Sequence, residues 1–191
     1  MKLLDRPVPS AALSAGESRS TMPKLEGERD MLTTAPPITV TGMELTFRRD
    51  LPGFKGARNF VVAPLGDGVP GIFAHLRCTD TVYVQGGVPL ANLTLLVTSP
   101  GILWNGYAVR IDNAMVDDLE LSGADEAGLL AIVHPRKPLA KSTANLYSPI
   151  IVNRRTGFAD QLVPAATEQE VGWSVRTPFP PDKDDATLGA R

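Results

Sequence analysis

One stretch of the chain, residues 143–163, limits the possible folds more than any other. It reads TANLYSPIIVNRRTGFADQLV, with apolar runs at 150–152 and 162–163 on either side of a polar turn. β-Branched residues dominate the first run, so the pattern predicts a strand, a tight turn and a second strand. Asn145 and Asn153 flank the first run, and asparagine side chains cap turns or tie loop backbone to strand ends.

Further short apolar segments, separated by Gly and Pro turns, have the length and alternation of strands. They cover residues 45–47, 60–63, 72–76, 81–84, 93–97, 129–133 and 171–175. Asn105-Gly106, which lies between apolar residues, predicts a tight hairpin turn. Residues 112–121 mix apolar and acidic side chains and predict one short amphipathic helix. We therefore expect a mainly β fold, a small antiparallel β-barrel-like domain with one short helix and disordered termini.

The length of 191 residues suits one core with mobile ends. Residues 1–36 mix Ser, Pro, Ala and charged residues without periodicity, which predicts a disordered leader. The folded domain is expected at residues 37–179, followed by a disordered tail at residues 180–191. Because 19 basic and 21 acidic residues leave a net charge of −2, direct nucleic-acid binding is not expected.

The sequence favours a cytoplasmic protein. Cys78 is the single cysteine, so no intramolecular disulfide can form. The first residues lack the apolar segment of a signal peptide, and no run of about 18 apolar residues could cross a membrane.

A glycine-rich segment has the spacing of a dinucleotide-binding loop at Gly66, Gly68 and Gly71. Such a loop must open a helix whose N-terminus meets the pyrophosphate, and the run after Pro70 is too short for that helix. The segment is therefore interpreted as a turn, and no cofactor is expected.

Two histidines and the cysteine are side chains of the types that bind metals. His75 and Cys78 have a spacing seen in metal sites, and His134 could be a third ligand. A structural zinc site needs four protein ligands, so ordinary strand positions are the simpler interpretation. No Gly-x-Ser-x-Gly elbow is present for nucleophilic catalysis, and no catalytic residue is assigned.

Two charged segments are candidates for protein contacts. An acidic segment around Asp117, Asp118 and Glu120 could face a basic partner such as an RNA-binding protein, or could simply be the solvated side of a helix. A basic rim could be formed by Arg136, Lys137, Lys141, Arg154 and Arg155, which would suit an acidic partner if these are not merely solvated loop residues.

The stretch at 143–163 resembles the signature segment of the flagellar assembly factor FliW family. The matching positions are Thr143, Ala144, Asn145, Leu146, Pro149, Ile150, Ile151, Val152, Asn153 and Gln161. A second block, Leu45-Thr46-Phe47 followed by Leu51, Pro52, Gly53 and Phe54, is similar to the opening strand and turn of that family. Asp50 replaces the usual glycine, and the segment from His75 to Cys78 departs from the family pattern. The resemblance covers residues 38–179.

The resemblance implies a non-enzymatic, cytoplasmic, monomeric regulator with a FliW-like β-barrel domain. Such proteins bind the translational repressor CsrA and free the flagellin messenger, while flagellin competes for them. The signature residues are then mainly scaffold, and the acidic residues at 117, 118 and 120 are candidate partner contacts. Two alternatives remain open, namely the same fold with changed partners, because of the altered segment at 75–78, and a small-ligand-binding β-barrel.

Overall fold

A computed structural model describes residues 31–33, 42–66, 72–84 and 87–180, and the structural statements below concern these residues. Most of the predicted leader therefore lies outside the described residues, as does the predicted tail beyond Pro180. Residues 31–33, which fall within the predicted disordered leader, form a strand, so the prediction is wrong for these three residues.

The elements follow one another in chain order as thirteen strands, three short α-helices and one 3₁₀ turn in the described ranges. The strands are β1 Met31–Thr33, β2 Glu44–Phe47, β3 Asn59–Pro64, β4 Phe73–Cys78, β5 Val82–Tyr83, β6 Pro89–Leu90, β7 Thr94–Thr98, β8 Val109–Ile111, β9 Ala127–His134, β10 Thr143–Ala144, β11 Ile150–Asn153, β12 Phe158–Gln161 and β13 Thr177–Pro178. The helices are α1 Pro100–Leu103, α2 Asn113–Asp118 and α3 Glu168–Val171, and the 3₁₀ turn is Leu139–Lys141.

Seven of the strands in the described ranges close a barrel in the order β11, β12, β2, β3, β4, β7 and β9, because β9 pairs again with β11. The pairs are antiparallel except for β12 with β2, which is parallel. Strands β10 and β13 extend the sheet from one end of β9, and β1 pairs with β8 outside the barrel. The predicted mainly β, barrel-like fold is confirmed.

The interior of the barrel is filled by apolar side chains. In β2, Leu45 and Phe47 are buried and alternate with exposed residues, as a strand with one face inward requires. The ring centroids of Phe47 and Phe60 lie 4.9 Å apart. The other fully buried side chains of this core include Val62, Leu76, Val97, Ile150 and Val152. The barrel is therefore a packed core.

A second core covers the outer face of β9 and β11. Ile151 and Leu129 are paired across these strands and point away from the barrel interior, where residues from the segment 104–121 cover them. These covering residues are Trp104, Tyr107, Val109, Ile111, Met115, Leu119 and Leu121. Both faces of β11 are thus buried, which explains why its sequence is a continuous apolar run instead of an alternating one.

The predicted hairpin at Asn105-Gly106 is wrong. Residues Pro100–Leu103 form a helix instead of a strand, so the turn joins a helix to β8. The amide of Tyr107 donates to the carbonyl of Trp104 over 3.2 Å, and Gly106 has a φ of 76°. Positive φ at the third turn position suits a type II turn, whereas the hairpin turn needs it at both central residues.

The ends of two other predicted elements also differ. The strand predicted at 171–175 is wrong, because Val171 ends α3, Gly172 caps that helix with a φ of 78°, and residues 173–175 belong to no strand. The second strand of the 143–163 hairpin is β12, which ends at Gln161 and not within the apolar pair 162–163. The helix predicted at 112–121 is present as α2, but it is accompanied by α1 and α3, each too short to show a periodic pattern.

Candidate partner-binding surface

The acidic segment is organised by helix α2. The Oδ1 atom of Asp112 accepts a hydrogen bond from the amide of Met115 at 2.8 Å and so caps the first turn. Met115 and Leu119 are buried in the second core, which turns Asp117 and Asp118 towards solvent. Glu120 follows with a φ of 54°, the left-handed conformation that ends many helices.

Arg48 binds the C-terminal end of this helix. Its Nε donates to the carbonyl oxygen of Asp118 at 2.6 Å, and its Nη2 lies 2.8 Å from Oε1 of Glu120. The guanidinium carbon lies 3.5 Å from the ring centroid of Phe158. A cation at this position also complements the partial negative charge of the helix C-terminus. Glu120 is therefore engaged within the chain.

Asn153 joins the same helix end to the tip of the β11–β12 hairpin. Its Nδ2 donates to the carbonyl oxygens of Leu119 and Glu120, each at 2.9 Å. Its Oδ1 accepts from the amides of Arg155 at 2.9 Å and Thr156 at 3.2 Å. The side chain is fully buried, so these bonds supply the polar partners that water cannot.

Arg49 connects the helix to β12. Its Nε lies 2.6 Å from Oδ2 of Asp160, whose side chain is only 4% exposed. The hydrogen bond to Asp160 and the negative charge there raise the pKa of Arg49, which stays charged. Nη2 of Arg49 also lies 4.0 Å from Oδ2 of Asp118. Asp117, by contrast, is exposed and forms no ion pair with the described residues.

The turn of the second signature block contains Pro52, Gly53 and Phe54. The amide of Phe54 donates to the carbonyl of Leu51 at 2.8 Å, and Gly53 has a φ of 87°. Proline followed by glycine at the two central positions is the pattern of a type II turn. The turn places the side chain of Leu51 in the barrel core.

The other signature residues bind backbone. Oδ1 of Asn145 accepts from the amide of Ser148 at 2.9 Å, and Nε2 of Gln161 donates to the carbonyl of Ser148 at 2.9 Å. Pro149 is buried, and its carbonyl accepts from the amide of Leu162 at 2.9 Å. These contacts hold the loop before β11 against β12.

The structure does not bring the predicted basic rim together. Nε of Arg155 lies 3.1 Å from Oε1 of Glu126, and Glu126 directly precedes β9. Arg136 follows the opposite end of this eight-residue strand. At about 3.3 Å per residue, the two groups are separated by roughly 25 Å of strand. Lys137 and Lys141 share the exposed loop of Arg136, and Arg154 is exposed at the hairpin tip.

The candidate metal ligands also lie apart. His75 and Cys78 are three residues apart on β4, and an odd spacing places side chains on opposite faces of a strand. Burial raises the pKa of the Cys78 thiol, which disfavours the thiolate that binds metals. Exposed His134 ends β9, and the described residues contain no group of three or more His, Cys, Asp and Glu suited to a metal ion. The glycine motif from Gly66 lies mostly outside the described residues.

Sequence reasoning missed Arg48, Arg49 and Asp160. The two arginines directly precede the predicted turn, and their partners lie about 70 and 111 residues further along the chain. The sequence signal for Arg48 and Arg49 is a pair of adjacent arginines that directly follows Phe47, and the alternation of the strand already assigns Phe47 to the core. Because Phe47 is anchored in the core, the side chains of Arg48 and Arg49 can reach only a limited region.

The closed barrel has a packed interior and carries helix α2 on its outer face. These features define a small β-barrel protein. The crystal structure of the flagellar assembly factor FliW matches with a TM-score of 0.59 at 20% sequence identity, over 77% of this chain and 99% of that one. The family model of the FliW protein matches residues 37–178, and the chain belongs to this family of flagellar assembly factors.

Two relatives illustrate the similarity in sequence. The flagellar assembly factor FliW of Bacillus licheniformis is 34% identical over 119 residues, which are 62% of this chain and 76% of that protein. The flagellar assembly factor FliW of Bacillus subtilis is 32% identical over 119 residues, with the same shares of the two chains. In the described part of the chain, no helix is long and apolar enough to cross a membrane.

Proposed function

We propose that this protein is a non-enzymatic, cytoplasmic regulator of flagellar assembly that binds flagellin and antagonises the translational repressor CsrA. The observation that carries the proposal is the family match over residues 37–178, which includes the whole barrel and the helix fastened to it. In this proposal the two partners bind in mutually exclusive complexes, so the amount of free flagellin sets how much repressor is captured. The protein acts as a monomer and contacts neither nucleic acid nor membrane directly.

The packing of the barrel supports a protein-binding role over a small-ligand role. Phe47 and Phe60 fill the interior together with aliphatic side chains that are fully buried. A ligand-binding barrel would need an interior cavity, whereas the described strands fill the interior with side chains such as Val62, Leu76 and Ile150.

The surface of α2 is the proposed contact for the basic partner CsrA. Asp117 faces solvent without an ion pair in the described residues. Oδ2 of Asp118 lies 4.0 Å from Nη2 of Arg49, which is a long distance for an ion pair. Glu120 is bound by Arg48 at 2.8 Å and is a weaker candidate. The signature residues Pro52, Gly53, Phe54, Asn145, Pro149, Asn153 and Gln161 are proposed to hold the scaffold.

The test uses the purified full chain with flagellin and CsrA from the same organism in titration calorimetry. We expect each partner to bind, and added flagellin to release CsrA. A chain that is folded by circular dichroism and binds neither partner would refute the proposal.

A charge reversal locates the CsrA contact. Asp117→Lys together with Asp118→Lys should weaken CsrA binding about ten-fold at low salt, since each exposed pair contributes up to about 1 kcal/mol. Glu44→Lys is the matched control, because Glu44 is an exposed acidic residue on β2. Equal affinities of the double variant and the control would assign the contact to another surface.

The second candidate is a barrel of the same family with changed partners. It is favoured by the segment at 75–78, which departs from the family pattern and includes exposed Arg77. Binding of flagellin without binding of CsrA in the same titrations would support this candidate.

A further inference from the structure

A surface groove runs past helix α2 and is formed by two adjoining cavities of about 270 and 640 Å³. Both cavities are lined by Asp112, Leu162 and Val163, so they lie side by side. The smaller one contains Arg49 and Asp160, and the larger one extends towards α3. Sites of this combined size hold drug-sized molecules and short peptide segments.

The smaller cavity has an excess of negative charge. Its lining contains four carboxylates, those of Asp50, Asp112, Asp118 and Asp160, and one guanidinium, that of Arg49. Asp160 holds Arg49 at 2.6 Å, and Asp50 is bound by Arg58 at 2.6 Å outside the cavity. Asp112 and Asp118 therefore leave an acidic end that can accept a second cation.

The larger cavity is mainly apolar and has a fixed wall. Val163, Pro164, Ala165 and Val171 contribute aliphatic surface, and Val163 is 67% exposed. The charged residues of this lining besides Asp112 are Arg110 and Glu170, whose charges are opposite. The hydroxyl of Tyr147 donates to the carbonyl of Ala166 at 2.5 Å, which holds the segment after β12 in place. Apolar surface that is grouped and has a polar rim, unlike single exposed apolar residues, marks interaction sites.

We infer that this groove binds an extended segment of a partner protein in which Lys or Arg precedes two or three aliphatic residues. The cationic side chain enters the acidic end between Asp112 and Asp118, and the aliphatic side chains cover Val163 and the apolar end. Charge complementarity fixes the direction of the segment, and apolar burial supplies affinity. The inference rests on the proposed function because it assigns a docking site for a partner of the flagellar system.

The first test is fluorescence polarisation with the full chain and two labelled hexapeptides. One has the sequence Arg-Arg-Val-Leu-Val-Ala, and the other carries Glu-Glu in place of Arg-Arg. The basic peptide should bind at least ten-fold more tightly, with affinity that falls as salt is added. Equal binding of the two peptides, or binding of neither at millimolar protein, would overturn the inference.

The second test uses substitutions that spare the fold. Val163→Asp places a charge in the apolar end, and because Val163 is exposed the fold is unaffected. Asp112→Ser removes the carboxylate but keeps a side-chain oxygen that caps α2. We expect Val163→Asp to abolish binding of the basic peptide and Asp112→Ser to weaken it about five-fold.

Matched controls are Val175→Asp and Asp125→Ser, at exposed positions outside the groove. If these controls weaken peptide binding as much as the groove variants do, the groove is not the site.

The same variants separate this inference from the proposed function. If flagellin and CsrA bind both the unmodified chain and Val163→Asp equally well, the groove is not their docking site and the proposed function stands. If neither partner binds the unmodified chain while the basic peptide still binds in the groove, the proposed function fails and the groove assignment holds.

Discussion

Asn153 allows a quantitative test of what the signature hairpin does. Replacing Asn153 by Leu keeps the number of side-chain heavy atoms and removes four hydrogen bonds, two to carbonyls at the end of α2 and two from amides at the hairpin tip. The substitution therefore isolates hydrogen bonding from cavity formation.

The four backbone groups that bind Asn153 differ in whether another hydrogen-bond partner is available after the substitution. The carbonyl of Leu119 lies in a fully buried residue and loses the partner that Asn153 provided, which costs about 1–3 kcal/mol. The carbonyl of Glu120 keeps a bond from Nη2 of Arg155 at 3.2 Å. Arg155 is exposed and Thr156 is half-buried, so we expect water to replace Asn153 at their amides. We expect a total loss of about 3 kcal/mol in the free energy of unfolding.

Denaturant titration and thermal unfolding followed by circular dichroism measure this loss. For a domain of this size, about 3 kcal/mol lowers the melting temperature by roughly 10 °C. Asn145→Leu is the control, since Asn145 is half-buried and its Oδ1 accepts one backbone bond, so it should cost about 1 kcal/mol. The reasoning is refuted if Asn153→Leu is as stable as the unmodified chain, or if it loses flagellin or CsrA binding without losing stability.

Two further predictions concern the backbone and a buried phenol. Gly157 and Gly172 share a φ of 78°, but a Cβ at Gly157 would lie 2.5 Å from the carbonyl oxygen of Glu44, whereas nothing lies within 4 Å at Gly172. In denaturant titrations Gly172→Ala should cost about 1 kcal/mol and Gly157→Ala about 2 kcal/mol more, and equal costs would contradict the steric argument. Burial raises the pKa of Tyr107, whose hydroxyl donates to the carbonyl of Leu146 at 2.7 Å. The folded state keeps the phenol neutral, so stability should fall above the unfolded pKa of about 10, and unfolding measured from pH 7 to 11 should show a shallower fall in Tyr107→Phe.

Those parts of the fold that depend on local patterns could be predicted from the sequence. The alternation at Leu45 and Phe47 assigns one strand face to a core, and the capping carboxylate of Asp112 with buried Met115 marks the start of a helix. The apolar run at Ile150–Asn153 indicates a strand buried on both faces. Each of these signals is contained within a few residues.

The remaining features depend on the path of the chain. Asn105-Gly106 favours a turn in either context, and only the chain before it decides between a helix and a strand. The strand predicted at 171–175 is absent because its first residue, Val171, ends α3, whose start is fixed by a capping box in which the side chains of Thr167 and Glu170 each bind the backbone of the other residue, and Gly172 then turns the chain. Local propensity did not reveal the parallel pairing of β12 with β2 that closes the barrel.

The same limit applies to the candidate surface. The sequence shows that Asp118 and Glu120 are acidic, but their partners Arg49 and Arg48 are about 70 residues away along the chain. A segment that looks like a free acidic patch is therefore partly neutralised, and what remains available is Asp117 and the groove beside Asp112.

The position of β11 between two cores affects how the molecule opens. Ile150 and Val152 belong to the barrel interior, while Ile151 belongs to the outer core that carries α2. Neither core can loosen by itself without exposing one side of this strand, so the barrel and its helical cover are expected to unfold as one cooperative unit. Slow motions that leave both cores intact are then expected in loops such as residues 163–167, which lie beside the groove.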